Sequence, residues 1–281
     1  MRNDQRLPGR RSLLRMAAGL GAATVVRMNA ADPAGTPARP SAPSTEGIAG
    51  PLSAFQVVRP PDHRLQPTTA AAPPRLRPAP APVRTRPFEE LPDIGHAMVL
   101  SFDDGPDPRY TPGILATLRA YDVRAMFFLC GETAQAHQDL VRAIADDGHT
   151  IGNHSWTHPM ITELSRAGIR DELGRTSEMI ETITGAAPLW YRAPYGAWNR
   201  TSFEIGAAMD MEPMAWTVDT LDWTEPGVDS IVRRVREGAA PGVVVLSHDA
   251  GGDRSQSVAA LRRYLPELLD DGYRITVPRR G

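Results

Sequence analysis

The sequence contains no lysine; all 31 basic residues are arginine. That absence excludes chemistry that needs a side-chain amine, such as a pyridoxal Schiff base, and phosphate sites of the Walker or kinase type that depend on a lysine. Cysteine is nearly absent too. With Cys130 alone, neither an internal disulfide nor a zinc site built from several thiolates is available. Long apolar runs are missing: nothing approaches the ~20 residues of a membrane-spanning helix. No G-x-G-x-x-G follows the first predicted strand, which disfavours a dinucleotide-binding fold.

What is abundant is proline, and it is unevenly spread. Of the 27 prolines in 281 residues, 15 fall within residues 31–92. Proline at this density blocks helices and sheet ladders, and few apolar side chains are present to offset the entropy of ordering. Residues 31–92 therefore read as a disordered Pro/Ala/Arg-rich linker with polyproline II character. Charge divides at the same border. Residues 1–92 carry 13 Arg against 6 acids, a net +7, and residues 93–281 carry 18 Arg against 27 acids, a net −9. The basic arm suits weak association with anionic cell-wall polymers. The acidic remainder would repel phosphate backbones, so no nucleic-acid partner is expected.

Residues 1–30 read as an export address. Arg10-Arg11-Ser12-Leu13-Leu14-Arg15 precedes a mildly apolar run over residues 16–26, a pattern that resembles a twin-arginine signal. An ordinary secretory signal is the alternative. Either way the mature protein is expected outside the cell or on its wall, and a lone cysteine suits an exported chain that needs no oxidative folding.

From residue 93 onward, strand-like and helix-like periodicities alternate. Strands are expected over residues 96–102, 125–129, 149–153, 189–191, 214–218, 243–246 and 273–277. Helices are expected over 110–121, 134–147, 163–184, 200–209, 229–237 and 256–269. Strict alternation implies a parallel sheet. About 190 residues are too few for eight full β/α units, so the expected fold is α/β, an incomplete (β/α)7 barrel over residues 93–281.

Each unusual polar cluster lies just after a predicted strand, where parallel α/β folds place their chemistry. The clusters are Ser101 to Pro106, His154 to His158, Arg192 to Gly196, Asp219 to Trp223, and Leu246 to Asp249. Two histidines four apart can share a metal, and Asp103-Asp104 offers a hard third ligand. One Asp with two His leaves positions open for water, as in catalytic rather than structural zinc sites, and zinc lowers the pKa of bound water to roughly 7. The other aspartate is then free to accept a proton. His248 lies on a different strand and suits a general acid, with Asp219 as a candidate carboxylate to tune it. Singly, an Asp-Asp pair is most often a cap or turn and a lone His-Asp is usually structural. Five such clusters at strand ends together point to a metallohydrolase.

In order and spacing these motifs resemble the polysaccharide deacetylase family, with its NodB-homology domain, carbohydrate esterase family 4. The family's T-F-D-D-G-P is here S-F-D-D-G-P, ending at Pro106. H-S/T-x-x-H runs from His154 to His158, R-x-P-Y from Arg192 to Tyr195, D-x-x-D-W from Asp219 to Trp223, and L-x-H from Leu246 to His248. The resemblance implies that Asp103 is the general base, held by Arg192. It implies that Asp104, His154 and His158 hold one divalent metal, zinc or else cobalt. The backbone N–H of Tyr195 would stabilise the oxyanion, His248 tuned by Asp219 would be the general acid, and Trp223 and Leu246 would line the acetyl pocket. Ser101 in place of Thr and Ala193 in place of Pro are mild departures.

The expected activity is thus metal-dependent removal of N-acetyl groups from a glycan, peptidoglycan first and chitin oligomers second, by a monomer. An O-deacetylase of acetyl xylan and a non-catalytic glycan-binding protein are the alternatives. Cys130 and His149 read as core, His63, His96 and His137 as unremarkable, and Trp198 as a possible sugar platform beside the 192–195 loop.

Overall fold

The computed structural model describes residues 81–278. The expected export signal and the linker up to residue 80 lie outside the described residues.

The central strand, β1 (Ala97–Asp103), is buried along its whole length. Being covered on both faces is what a continuous apolar run in a parallel sheet requires. After it, in chain order, come α1 (Thr111–Ala120), β2 (Met126–Leu129), α2 (Gly131–Ala136), α3 (Gln138–Asp146), β3 (Thr150–Asn153), α4 (Arg166–Thr184), β4 (Trp190–Tyr191) and α5 (Arg200–Ala208). The remainder is β5 (Glu212–Pro213), β6 (Val218–Asp219), α6 (Val228–Gly238), β7 (Val244–His248), α7 (Ser255–Asp270) and β8 (Arg274–Ile275). The strands lie in the order β5-β4-β3-β2-β1-β7-β6, with β8 pairing the start of β1. All pairings are parallel. The sheet curls into a half-barrel flanked by helices, the expected incomplete (β/α)7 barrel. Among the described residues no helix is long and apolar enough to cross a membrane.

Strand alternation sorts the side chains into two sets. Met98, Leu100 and Phe102 of β1, with Phe127 of β2 and Val245 of β7, pack outward with Ile114, Leu261 and Leu265 of the helices. Val99, Met126, Phe128 and Val244 face the other way, together with Trp190 and Met214. Ser101 and Asp103 share the parity of Val99, and Leu246 and His248 share that of Val244. The barrel interior is therefore apolar at its base and polar where β1 and β7 end.

Three expectations need correction. The run over residues 214–218 is not one strand. Met214 to Thr217 cross from β5, at one edge of the sheet, to β6, at the other. A crossover that starts buried, at Met214 and Ala215, carries the same apolar pattern as a strand, so periodicity does not separate them. The helix expected over 134–147 is two helices, broken at His137 (φ −132°, ψ 53°), where no glycine or proline marks the break.

The linker, thirdly, does not extend to residue 92. Residues 81–91 are packed on the barrel: the Ala81 N–H donates to Asp210 Oδ1 (2.8 Å), Arg84 forks onto Glu212 (2.8 and 3.0 Å), and Phe88 and Glu90 form bridges with Met214 and Val243. The prolines at 82 and 87 sit in an edge segment, where a missing N–H is tolerated. Phe88 and Leu91 supply the apolar anchors.

Candidate active site

The site sits where β1, β3, β4 and β7 end, around a cavity of about 670 Å³. Its floor begins with Asp103, the last inward residue of β1. Arg192, just after β4, is entirely buried and donates from Nη1 to Asp103 Oδ1 (2.7 Å) and Ser101 Oγ (2.9 Å). Its Nε and Nη2 donate to the carbonyls of Met214 (3.1 Å) and Ala215 (2.8 Å). The guanidinium lies 4.1 Å over the Phe128 ring. Burying a guanidinium is tolerable only with this degree of pairing, and Asp103 supplies its counter-charge.

Consecutive strand residues point to opposite faces, yet Asp103 and Asp104 both line the cavity. A left-handed backbone at Asp104 (φ 74°) ends the strand and turns the second carboxylate back into the site. The Asp104 Oδ1 lies 3.4 Å from His154 Nε2 and 3.3 Å from His158 Nε2. His154 Nδ1 lies 2.8 Å from the Arg192 carbonyl, so its N–H donates there and the Nε2 lone pair faces Asp104. The stretch between the histidines is a loop with left-handed Ser155 and His158 (φ 67° and 58°). Glu172 of α4 ties it down, accepting from the Trp156 and Thr157 N–H groups (2.7 and 2.8 Å) and the Thr157 hydroxyl (2.9 Å). The β7 loop packs directly on Asp104: a Cβ at Gly251 would lie 2.5 Å from Asp104 Oδ2, at φ 75°.

The ligand atoms of Asp104, His154 and His158 lie within 4.8 Å of one another. Asp104 Oδ1 is buried and has no hydrogen-bond partner. An orphaned carboxylate oxygen facing two imidazole nitrogens fits a divalent cation, and one oxygen with two nitrogens is a zinc-type donor set. Burial alone would raise the Asp104 pKa, but without a cation the positive charges that His154, His248 and His158 can carry outweigh it and hold the carboxyl at about 2.

The second half of the site is on β7. His248 pairs in register with Asp103 on β1. Here the structure corrects the sequence reading. His248 Nδ1 lies 2.7 Å from Asp222 Oδ1, not on Asp219, and its backbone N–H donates to Asp222 Oδ2 (2.8 Å). Ser257 adds a further donor to Asp222 (2.6 Å). Left-handed Leu221 (φ 52°) starts a short 3₁₀ turn that folds Asp222 back beneath the histidine. Asp219 Oδ1 instead accepts the Leu221 N–H (2.8 Å), so it caps that turn, and the residue stays in the cavity wall. Burial disfavours the imidazolium, but the Asp222 hydrogen bond and charge outweigh it and lift His248 to about 9.

Tyr195 lies on a turn after β4 with a left-handed backbone (φ 61°), its exposed ring edge-on to His158 at 4.6 Å. Trp223 and Leu246 line the cavity, Trp223 exposed and Leu246 buried. Trp198, half-buried, is not among the residues that line the cavity. It stacks on Phe203 (5.4 Å) and packs edge-on against Tyr191 (5.2 Å). Cys130 and His149 are buried as expected, and burial pushes His149 down to about 4. Sequence reasoning missed Asp222 and Glu172. The first stood inside a motif already singled out; nothing in sequence marked the second.

A profile of the polysaccharide deacetylase family matches residues 92–214. A peptidoglycan-N-acetylglucosamine deacetylase of Bacillus cereus is 37% identical over 183 residues, covering 64% of this chain and 66% of the relative, just under two thirds of its length. A chitooligosaccharide deacetylase of Rhizobium leguminosarum bv. trifolii is 36% identical over 198 residues, covering 66% of this chain and 92% of the relative. A crystal structure of a peptidoglycan N-acetylglucosamine deacetylase superposes with a TM-score of 0.65 at 35% identity, covering 68% of this chain and 89% of the other. With its motifs gathered around one cavity and relatives matched over most of their length, the chain belongs to the polysaccharide deacetylase family.

Proposed function

We propose that the chain is a secreted, metal-dependent deacetylase that hydrolyses N-acetyl groups of a glycan, peptidoglycan first and chitin oligomers second. The observation that carries this reading is the pairing, in register on β1 and β7, of a carboxylate clamped by a buried arginine and an imidazole clamped by a buried carboxylate. Such a pair supplies a base and an acid within one cavity.

A divalent cation on Asp104, His154 and His158, zinc by its donor set, supplies Lewis-acid activation of water and of the acetyl carbonyl when bound. Asp103 accepts the proton of the attacking water, and Arg192 holds it in orientation. The Tyr195 backbone N–H donates to the developing oxyanion. His248 gives its proton to the sugar nitrogen as the C–N bond breaks, so acetate and a free amine leave. Leu246 and Trp223 bound the methyl pocket. Amide cleavage needs that proton more than ester cleavage does, because an amine leaves poorly as an anion.

The test is acetate release from peptidoglycan, chitopentaose and acetylated xylan side by side. Acetate with new amines is expected from the first two and little from xylan. No acetate from either N-acetyl glycan, or acetate from xylan alone, overturns the reading.

The relatives' names support a wall or oligosaccharide substrate and with it export; a monomer, its basic arm adding weak wall association, is part of the same proposal. For export, exchange of both Arg10 and Arg11 for Lys is expected to block secretion, because that pair is read by a receptor rather than as charge. Normal secretion of the double variant overturns the twin-arginine assignment.

A further inference from the structure

The half-barrel has a seam. Its edge strands, β5 and β6, do not pair with each other, and the chain from Met214 to Thr217 spans the gap. This crossover has few ladder bonds of its own. The Met214 N–H donates to the Tyr191 carbonyl (2.9 Å) and the Thr217 N–H to the Val244 carbonyl (3.0 Å). Between them the Ala215 N–H donates to the carbonyl of Phe88 (2.7 Å), outside the sheet, and the Phe88 N–H donates back to Pro213 (2.9 Å). The Thr217 hydroxyl donates to the Glu89 carbonyl (3.2 Å), and the Leu91 N–H donates to Gly242, ahead of β7 (2.8 Å). The segment preceding β1 thus lies in the seam as a closing strip.

The same crossover carries the two carbonyls that hold Arg192. A guanidinium is planar and rigid, so two acceptors on Nε and Nη2 fix its plane and thereby the direction in which Nη1 points. Nη1 points at Asp103. A continuous chain of hydrogen bonds therefore runs from Phe88 through Ala215 and Arg192 to Asp103.

We propose that residues 84–91 are a positioning element of the active site, which sets the orientation of Asp103 through the Met214–Ala215 carbonyls and Arg192. The functional part of this inference rests on the deacetylase reading above. Two side chains anchor the strip. The Phe88 ring meets Trp190 edge-on (6.0 Å) beneath the Arg84 guanidinium (4.6 Å), and Arg84 forks onto Glu212, the first residue of β5. Truncating either anchor lets the crossover shift by a fraction of an ångström, and misplacement of about 1 Å costs on the order of 10²-fold in turnover.

The experiment uses the full chain, zinc-loaded, with Phe88→Ala, Phe88→Leu, Arg84→Gln and Arg84→Lys. On chitopentaose, Phe88→Ala and Arg84→Gln are expected to lower kcat about tenfold, with KM within about twofold of wild type. Zinc content by elemental analysis should be unchanged. Phe88→Leu should recover most of the loss, and Arg84→Lys, which keeps the charge without the fork, only part of it. A merely structural role would lower the folded fraction and leave kcat per folded, metal-loaded molecule unchanged; that result overturns the proposal, as does unchanged kcat in both truncated variants. A second readout stands apart from acetate. The Arg192 Nε–H should exchange slowly with solvent in wild type and faster in Phe88→Ala, by NMR of ¹⁵N-labelled protein with Arg192→Lys for assignment. If Phe88→Ala does not fold, Arg84→Gln carries both measurements. A wild type that releases no acetate sinks the deacetylase reading, while the Arg192 exchange rate still decides the clamp; equal rates overturn it.

Discussion

Asp103→Asn is expected to keep its metal, lose about 10²- to 10⁴-fold in acetate turnover, and unfold more easily. Asp104→Asn is expected to lose the metal and to destabilise the metal-free protein less than Asp103→Asn does. The contrast follows from what each carboxylate touches. Asp103 is the counter-charge of an arginine with no exposed surface. Its removal leaves that guanidinium buried among neutral acceptors, a situation that costs on the order of 3 kcal/mol or more. Asp104 has a buried oxygen with no hydrogen-bond partner, facing two imidazole nitrogens. The imidazoles that face it can give up a proton when that charge goes, as a buried guanidinium cannot, but a cation loses its hard ligand. Zinc by elemental analysis, turnover on chitopentaose and urea denaturation of the two metal-free variants give three independent comparisons. If both lose metal equally, or if Asp103→Asn is as stable as wild type, the division of roles is wrong.

The second large effect is on the pH profile. His248 must be protonated to donate to the leaving nitrogen, so the alkaline limb of kcat/KM reports its titration. Burial works against the charged imidazole, and the Asp222 hydrogen bond and charge reverse that, giving a value of about 9. In Asp222→Asn burial is no longer opposed by a carboxylate in contact, and the pKa falls toward or below the ordinary value of 6.5. The sign is definite. A raised pKa keeps the acid charged up to the shifted value, so removal of its cause moves the alkaline limb to lower pH by about two units. Activity at pH 8 should collapse, while activity near pH 6 falls much less. An acetyl ester with a good leaving group should suffer less than an N-acetyl substrate. Asp219→Asn, which removes a charge but keeps an oxygen to accept the Leu221 N–H, should leave the limb near its wild-type position. The reverse ranking of the two variants would return the tuning role to Asp219.

That Asp219–Asp222 exchange shows where sequence legibility stops. Strand ends could be located by periodicity, and the parity of Val99, Ser101 and Asp103 along β1 already carries Asp103 into the barrel. Which of two aspartates three residues apart reaches His248 depends on the left-handed Leu221 and the tight turn it starts, and leucine is not a residue that advertises such a backbone. Glu172 lies on the next helix, 16 residues along the chain from Trp156 in the loop it fastens, and looks like any solvated glutamate. Residues 84–91 were misread for a different reason. Their proline content resembles the linker before them, and their pairing partners, Met214 and Val243, are more than a hundred residues away. Local composition reports local preference, whereas closing a seam is a non-local event.

The left-handed residues at the strand ends bear on how the site meets its ligand. Nine non-glycine residues have positive φ among those described, and Asp104, Ser155, His158, Tyr195 and Leu221 are five of them. Each holds a backbone well that an L-residue occupies at a cost of about 1 kcal/mol or more. The loops are thereby committed to one conformation as the barrel folds, by hydrogen bonds that Glu172, Asp219 and the Arg192 carbonyl accept. The entropy of ordering the catalytic groups is met at folding, so little of it is left to oppose binding. A polymer chain arriving at this cavity finds its shape already set and must surrender chiefly its own freedom.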